Sequence, residues 1–211
     1  MASTLTHLAV AQEYARKNPE LVKNLQELYD GVVMPDLGLD KQFTHYLDEK
    51  DWSSDSMRFI TEPAEMEKFV LHDPLDRDLS LGILLHLYTD ELYYSDKLFQ
   101  PQDLENTTRQ QFRTKHGKTM DVMDIFIAEQ YGTSYKLTSP EIEEELSNNL
   151  AQFRKNNPVQ DDVNAEELFF TSQDMEDFIE QTSSVDLQAI VNQIKTKHKM
   201  TQSKNELSMD M

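Results

Sequence analysis

The sequence predicts an all-α protein, and three observations support that prediction. Apolar residues recur at the three- and four-residue spacing of amphipathic helices through nearly the whole chain. Only five glycines and seven prolines occur among 211 residues, too few for the frequent turns of an all-β sandwich. Helix-start signals, such as a short polar residue followed by proline and an acid, precede several periodic stretches. We therefore expect one compact multi-helix domain over residues 1–198 and a polar, frayed tail over residues 199–211.

Each expected helix has a polar start and a glycine, a proline or a polar stretch at its end. In chain order, they run from Thr4 or Thr6 to about Lys17, from Asn18-Pro19-Glu20 to Gly31, from Thr61-Glu62-Pro63 to the residues before Pro74, from Asp76 or Asp78 to about Phe99, over 119–131, over 139–155, and twice between 172 and 198. Residues 32–60 form a long connection, with or without a short helix near 43–47. Long connections in compact domains are often functional.

One glycine stands in the interior of the expected long helix. An interior glycine costs about 1 kcal/mol relative to alanine. Gly82 therefore indicates a close approach of another backbone at this point of the helix.

Composition excludes several function classes. The net charge of −19 leaves no broad basic face for nucleic-acid polymers or anionic membranes. The absence of cysteine excludes disulfides, thiolate zinc sites and cysteine nucleophiles, so any metal must be held by histidine and carboxylate side chains. No apolar run reaches the roughly 18 residues of a membrane span, and no secretory leader is recognisable at Met1 to Lys17, so we expect a cytoplasmic protein.

His86 and Asp90 are the most informative pair of titratable residues. Four residues apart on a helix, they share one face within an apolar stripe, so both side chains can reach one ion. The alternative is a simple hydrogen bond between helix neighbours. His7, Asp36 and His45 are each unremarkable alone, being a first-turn histidine, a turn aspartate and a loop histidine.

Taken in order, four motifs resemble the zinc-dependent phospholipase C family, which belongs with the single-strand-specific zinc nucleases. They are Thr6-His7-Leu8, Gly31-Val32-Val33-Met34-Pro35-Asp36, Thr44-His45-Tyr46 and Gly82-Ile83-Leu84-Leu85-His86-Leu87-Tyr88-Thr89-Asp90. The resemblance spans about residues 6–99. It implies a helical bundle of the phospholipase C and nuclease type.

The resemblance also implies a metal site and a reaction. The implied metal ligands are His7, Asp36, His45, His86 and Asp90, with Asp90 bridging two ions and Asp36 activating water, so that Asp36 and Asp90 are the implied catalytic residues. Zinc or another divalent transition metal is the implied cofactor. The expected function is hydrolysis of a small phosphomonoester, phosphodiester or phospholipid head group by metal-activated water.

Departures from the family's pattern reduce the expected number of ions to one or two. No histidine follows Asp90 until His116, and the family's His-x-x-x-Glu motif for a third ion is missing. The side chains that remain as replacement ligands are Asp96, His116, Asp121 and Asp124.

Two alternatives accompany this reading. One is a catalytically degenerate relative that serves as a metal-stabilised binding or structural protein. The other is a metal phosphohydrolase of the HD type, indicated by the adjacent His72-Asp73 with His45 before it and Asp90 or Asp124 after it. Against the second, Pro74 follows at once, and His72 is also favourable as a helix C-terminal residue.

Overall fold

Eight α-helices and one 3-10 helix make up the described part of the computed structural model, which comprises residues 2–37, 64–93, 98, 108–156 and 167–209. These elements are α1 (Thr4–Lys17), α2 (Leu25–Val33), the 3-10 helix (Met34–Asp36), α3 (Ala64–His72), α4 (Asp78–Tyr93), α5 (Arg109–Tyr131), α6 (Pro140–Asn156), α7 (Ser172–Thr182) and α8 (Leu187–Met209). No strand occurs in these ranges, and the all-α prediction is confirmed. No described helix is long and apolar enough to span a membrane.

The start of α2 differs from the predicted one. Asn18 ends α1 instead of opening α2, because its backbone N–H and its side-chain amide both donate to the Tyr14 carbonyl. Pro19 then follows the end of a helix, a position that suits proline as well as the first helical turn does. The cap of α2 is Asn24, whose side chain accepts from the Glu27 N–H.

Two other boundaries were also predicted wrongly. Helix α5 begins at Arg109, not near 119, because Thr108 and Gln111 form a capping box that sequence inspection overlooked. Helix α8 continues to Met209, so the backbone of the stretch predicted as a frayed tail is helical almost to the end. Polar composition alone did not distinguish a helical backbone from an irregular one at this end of the chain.

Helix α1 lies at the centre of the described structure. It contacts α2, α4, α5 and α7. Its residues from Leu5 to Ala11 are all buried, including the polar Thr6 and His7. A helix enclosed on nearly all sides exposes little polar surface, so a histidine within it needs a specific reason.

The close backbone approach that Gly82 indicated is confirmed. A Cβ atom on Gly82 would lie 2.3 Å from the Leu28 carbonyl oxygen and 2.9 Å from the Gly31 Cα. A Cβ atom on Gly31 would lie 2.2 Å from the Leu79 carbonyl oxygen. Helices α2 and α4 therefore cross in backbone contact, and this crossing sets the end of α2 directly against His86.

Candidate metal centre

Three buried side chains from two helices converge at the centre of the fold. Helix α1 supplies His7, and α4 supplies His86 and Asp90, each no more than 1% exposed. His7 Nε2 lies 3.4 Å from Asp90 Oδ1, and His86 Nε2 lies 3.5 Å from Asp90 Oδ2. The two imidazole rings are stacked, with centroids 3.8 Å apart. One ligand atom from each residue lies within 4.8 Å of the others, so this group could hold a metal ion.

The backbone of α2 fixes the orientation of His86. Its Nδ1 lies 2.7 Å from the Val32 carbonyl oxygen, which can only accept a hydrogen bond, so Nδ1 carries the proton and donates it. In the neutral imidazole the lone pair is then on Nε2, the atom that faces Asp90. A ring nitrogen tied to a backbone carbonyl is the usual support of a metal-binding histidine.

The electrostatics of the two histidines differ. Burial lowers the pKa of His7, and its stacked neighbour His86 lowers it further. Burial also opposes protonation of His86, but Asp90, Asp36 and the Val32 carbonyl outweigh it, so the pKa of His86 is raised. His7 therefore remains a neutral imidazole, which is the form that binds metals.

The distances within the group fit a metal ion better than a hydrogen-bonded pair. Two atoms that each lie about 2.0–2.1 Å from a tetrahedral zinc ion are about 3.3–3.4 Å apart. The separations of 3.4 and 3.5 Å approach that value, whereas a charge-assisted hydrogen bond would be about 2.7–2.9 Å long. In addition, neither ring nitrogen of His7 has a hydrogen-bond partner among the described residues. An unsatisfied buried imidazole is costly unless an ion occupies its lone pair.

The predicted site residues fall into three groups in the structure. His7, His86 and Asp90 come together. Asp36 lies half-buried in the 3-10 helix after α2, outside the close group, but near enough that its charge helps to raise the pKa of His86 and opposes the lowering of the pKa of His7. His45 lies outside the described residues.

The replacement ligands are not part of the close group. His116 lies 3.2 Å from the Tyr93 hydroxyl and stacks on Phe112, and burial lowers its pKa to about 4. Asp124 accepts a hydrogen bond from the Ser3 hydroxyl, and Asp121 is only partly buried on the same helix. Asp96 lies outside the described residues.

Two backbone groups hold the side chains of the site, and neither was predicted from the sequence. The Ala2 N–H donates to Asp90 Oδ1 at 2.9 Å, and the Val32 carbonyl holds His86. Backbone atoms have no residue-type signature, so no pattern could have revealed these two contacts. The Tyr93 hydroxyl donates to Met120 Sδ at 2.6 Å and contacts His116. Tyr93 lies one helical turn after Asp90, and this spacing could have indicated from the sequence that it lies near the site.

A cavity of about 460 Å³ adjoins the site at the start of α1. It is lined by Ala2, Ser3, Thr4, Leu5, Asp36, His116, Asp124, Leu146, Asn149, Leu150 and Phe153. A second cavity of about 460 Å³ lies near Tyr14, Leu75 and Leu187, but none of the candidate ligands lines it. His7, His86 and Asp90 do not line the first cavity either, but it adjoins them through Ala2, whose N–H donates to Asp90, and it includes Asp36 in its lining.

The residues of the alternative HD motif lie elsewhere. His72 is exposed at the end of α3, where its Nδ1 lies 2.7 Å from the Lys68 carbonyl, and Asp73 accepts from the Leu75 N–H. Neither belongs to the buried group of His7, His86 and Asp90 that could hold a metal ion among the described residues. Both contacts are those of an ordinary helix end.

No family model, curated protein or solved structure matches this chain. The resemblance to the zinc-dependent phospholipase C family therefore stays an interpretation based on four short motifs.

Asp124 gives the site a testable pH dependence. Burial raises its pKa to about 7, although the Ser3 hydrogen bond opposes the shift. The folded protein therefore binds this proton more tightly than the unfolded chain does, and stability contributed by the group is lost as pH rises toward 7. We expect Asp124→Asn to gain stability relative to wild type between about pH 5 and about pH 8. Urea unfolding at both values measures this difference, and an equal difference at the two values would contradict it.

Proposed function

We propose that this protein is a metal-dependent phosphoesterase-like hydrolase that binds one or two zinc ions through His7, His86 and Asp90. The observation that supports the proposal most is the buried group itself, in which one ring nitrogen of each histidine faces a carboxylate at a separation close to the edge of a zinc tetrahedron. Two imidazoles and a carboxylate without thiolates suit zinc or a neighbouring divalent transition metal.

The residues of the chain would have distinct roles in this hydrolysis. His7, His86 and Asp90 would hold the zinc, which would supply a lower pKa for a bound water molecule and positive charge beside a phosphoryl oxygen. Asp90 presents one carboxylate oxygen to each histidine and would complete the set of ligands for one or two ions. Asp36 would orient the attacking water or accept its proton, since it lines the adjoining cavity and acts electrostatically on both histidines.

A second candidate is a metal-stabilised relative without catalytic activity. The observation in its favour is the complete burial of the three ligands, which limits the access of substrate. The interactions of Tyr93 also favour the inactive relative. Its hydroxyl contacts His116 and donates to Met120, so His116, a possible replacement ligand, already has a partner other than a metal ion.

Metal binding and turnover are measured separately in the deciding experiment. Protein stripped with chelator is titrated with zinc, and one or two equivalents are expected to bind and to raise the melting temperature. Zinc-loaded protein is then assayed with p-nitrophenyl phosphate and bis-p-nitrophenyl phosphate. Zinc binding with turnover supports the hydrolase, and zinc binding without turnover of either ester supports the inactive relative. Failure to bind zinc or another divalent transition metal contradicts both.

A further inference from the structure

The cavity at the start of α1 is not lined by His7, His86 or Asp90 themselves, but two of its lining residues are hydrogen-bonded to Asp90 and His7. Ala2 lines the cavity, and its N–H donates to Asp90. Ser3 also lines it and lies one helical turn before His7, whose N–H donates to the Ser3 carbonyl at 3.1 Å. Asp36 is part of the same lining, and its charge opposes the lowering of the pKa of His7 and contributes to the raised pKa of His86. A phosphoryl group held at the ligands would therefore have the cavity as neighbouring space for the rest of its ester.

The residues that line the cavity are of two chemical kinds, apolar and acidic. Leu146, Leu150 and Phe153 follow one another at helical spacing and give α6 an apolar face toward the cavity. The lining also contains Asp36 and the buried Asp124, which accepts a hydrogen bond from the Ser3 hydroxyl. No lysine or arginine is among the described residues of the lining.

The size of the cavity also limits what it can hold. Binding sites for small molecules enclose about 300–1,000 Å³, and this one encloses about 460 Å³. That volume suits a short alcohol and not a polymer segment.

We propose that this cavity receives the alcohol part of a small phosphoester, and that Asp36 and Asp124 make it a subsite for alcohols without a negative charge of their own. The inference rests on the phosphoesterase function proposed above. The apolar face of α6 would contact the hydrocarbon, while the two carboxyl groups would repel a second anionic group on the same ligand. Asp124 acts here as a specificity-determining residue.

Two esters of similar size test the charge preference. Propyl phosphate is uncharged beyond its phosphate, whereas 2-sulfoethyl phosphate carries one further negative charge. Calorimetric binding to zinc-loaded protein is measured at about pH 8, where Asp124 is ionised because its pKa is about 7. We expect 2-sulfoethyl phosphate to bind at least about tenfold more weakly than propyl phosphate. Asp124→Asn should narrow this gap, and Asp121→Asn, on the same helix but outside the lining, should not.

Filling the cavity tests its position. Asn149 is exposed and lines the cavity, whereas its neighbour Asn148 is exposed and does not. Asn149→Trp is therefore expected to weaken propyl phosphate binding but not inorganic phosphate binding, and Asn148→Trp is expected to change neither.

The outcomes separate this inference from the proposed function. If inorganic phosphate binds the zinc-loaded protein but the two esters bind equally, or if the two tryptophan variants behave alike, the subsite is wrong and the phosphoesterase proposal survives. If inorganic phosphate does not bind despite bound zinc, both are overturned.

Discussion

The Asp90→Asn variant is expected to lose zinc affinity by more than about 100-fold, since even the loss of a group that merely supports a metal ligand costs about 10- to 100-fold. The substitution keeps the volume and an acceptor for the Ala2 N–H but removes the negative charge that both histidines face. Any phosphodiesterase activity should disappear with the metal.

The stability of the same variant distinguishes a working site from a remnant. Zinc at 100 times its dissociation constant would stabilise the wild type by about 2.7 kcal/mol, whereas Asp90→Asn should show no comparable gain. In chelator the variant should be as stable as the wild type or more so, because a buried carboxylate becomes a neutral amide whose NH2 group can face the lone pair of His86.

Thermal melts with zinc and with chelator measure both effects. Asp121→Asn is the control, because Asp121 is only partly buried and lies outside the close group. Equal melting of wild type and Asp90→Asn, unaffected by zinc, would count against a metal site. If zinc still raised the melting temperature of Asp90→Asn as much as that of the wild type, zinc would bind at residues other than Asp90.

Gly82→Ala is expected to destabilise the protein by about 2–3 kcal/mol, even though alanine is the better helix former by about 1 kcal/mol. The added Cβ would lie 2.3 Å from the Leu28 carbonyl oxygen and 2.9 Å from the Gly31 Cα, both backbone atoms that cannot rotate away. Helices α2 and α4 would have to separate. For a chain of this length the loss corresponds to about 5–10 °C in melting temperature.

Gly117→Ala is the matched control for this prediction. Gly117 lies in α5, and a Cβ atom added there would meet nothing within 4 Å. We expect this variant to gain about 0.5–1 kcal/mol from helix propensity alone. If Gly82→Ala were equally stabilising when measured by urea unfolding, the close crossing of α2 and α4 would be refuted.

The same variant connects packing with the metal site. The crossing at Gly31 and Gly82 sets the Val32 carbonyl 2.7 Å from His86 Nδ1. Separation of the helices would release that hydrogen bond, so zinc affinity of Gly82→Ala should fall together with stability. A normal zinc affinity in a destabilised Gly82→Ala protein would show that the Val32 contact does not support the site.

The sequence by itself determined the class of fold, and it named the three residues that the structure brings together, His7, His86 and Asp90, among its five candidate ligands. Helical periodicity, few glycines and the cap residues indicated an all-α chain, and the position of Gly82 inside a helix indicated the close crossing. The spacing of His86 and Asp90 placed them on one helix face because that relation is local and depends only on 3.6 residues per turn. The resemblance to a known family added His7, which no local pattern would have joined to them.

Only the tertiary structure decided which groups complete and orient the site. Predicted helix limits were wrong where the local sequence suits both the end of one helix and the start of the next. At Asn18-Pro19, the hydrogen bonds of Asn18 to the Tyr14 carbonyl make it the end of α1. The Val32 carbonyl, the Ala2 N–H and the Ser3–Asp124 contact join segments far apart in the chain. Such contacts depend on how helices cross, and crossing is set by the packing of whole surfaces, so a linear pattern does not encode it separately.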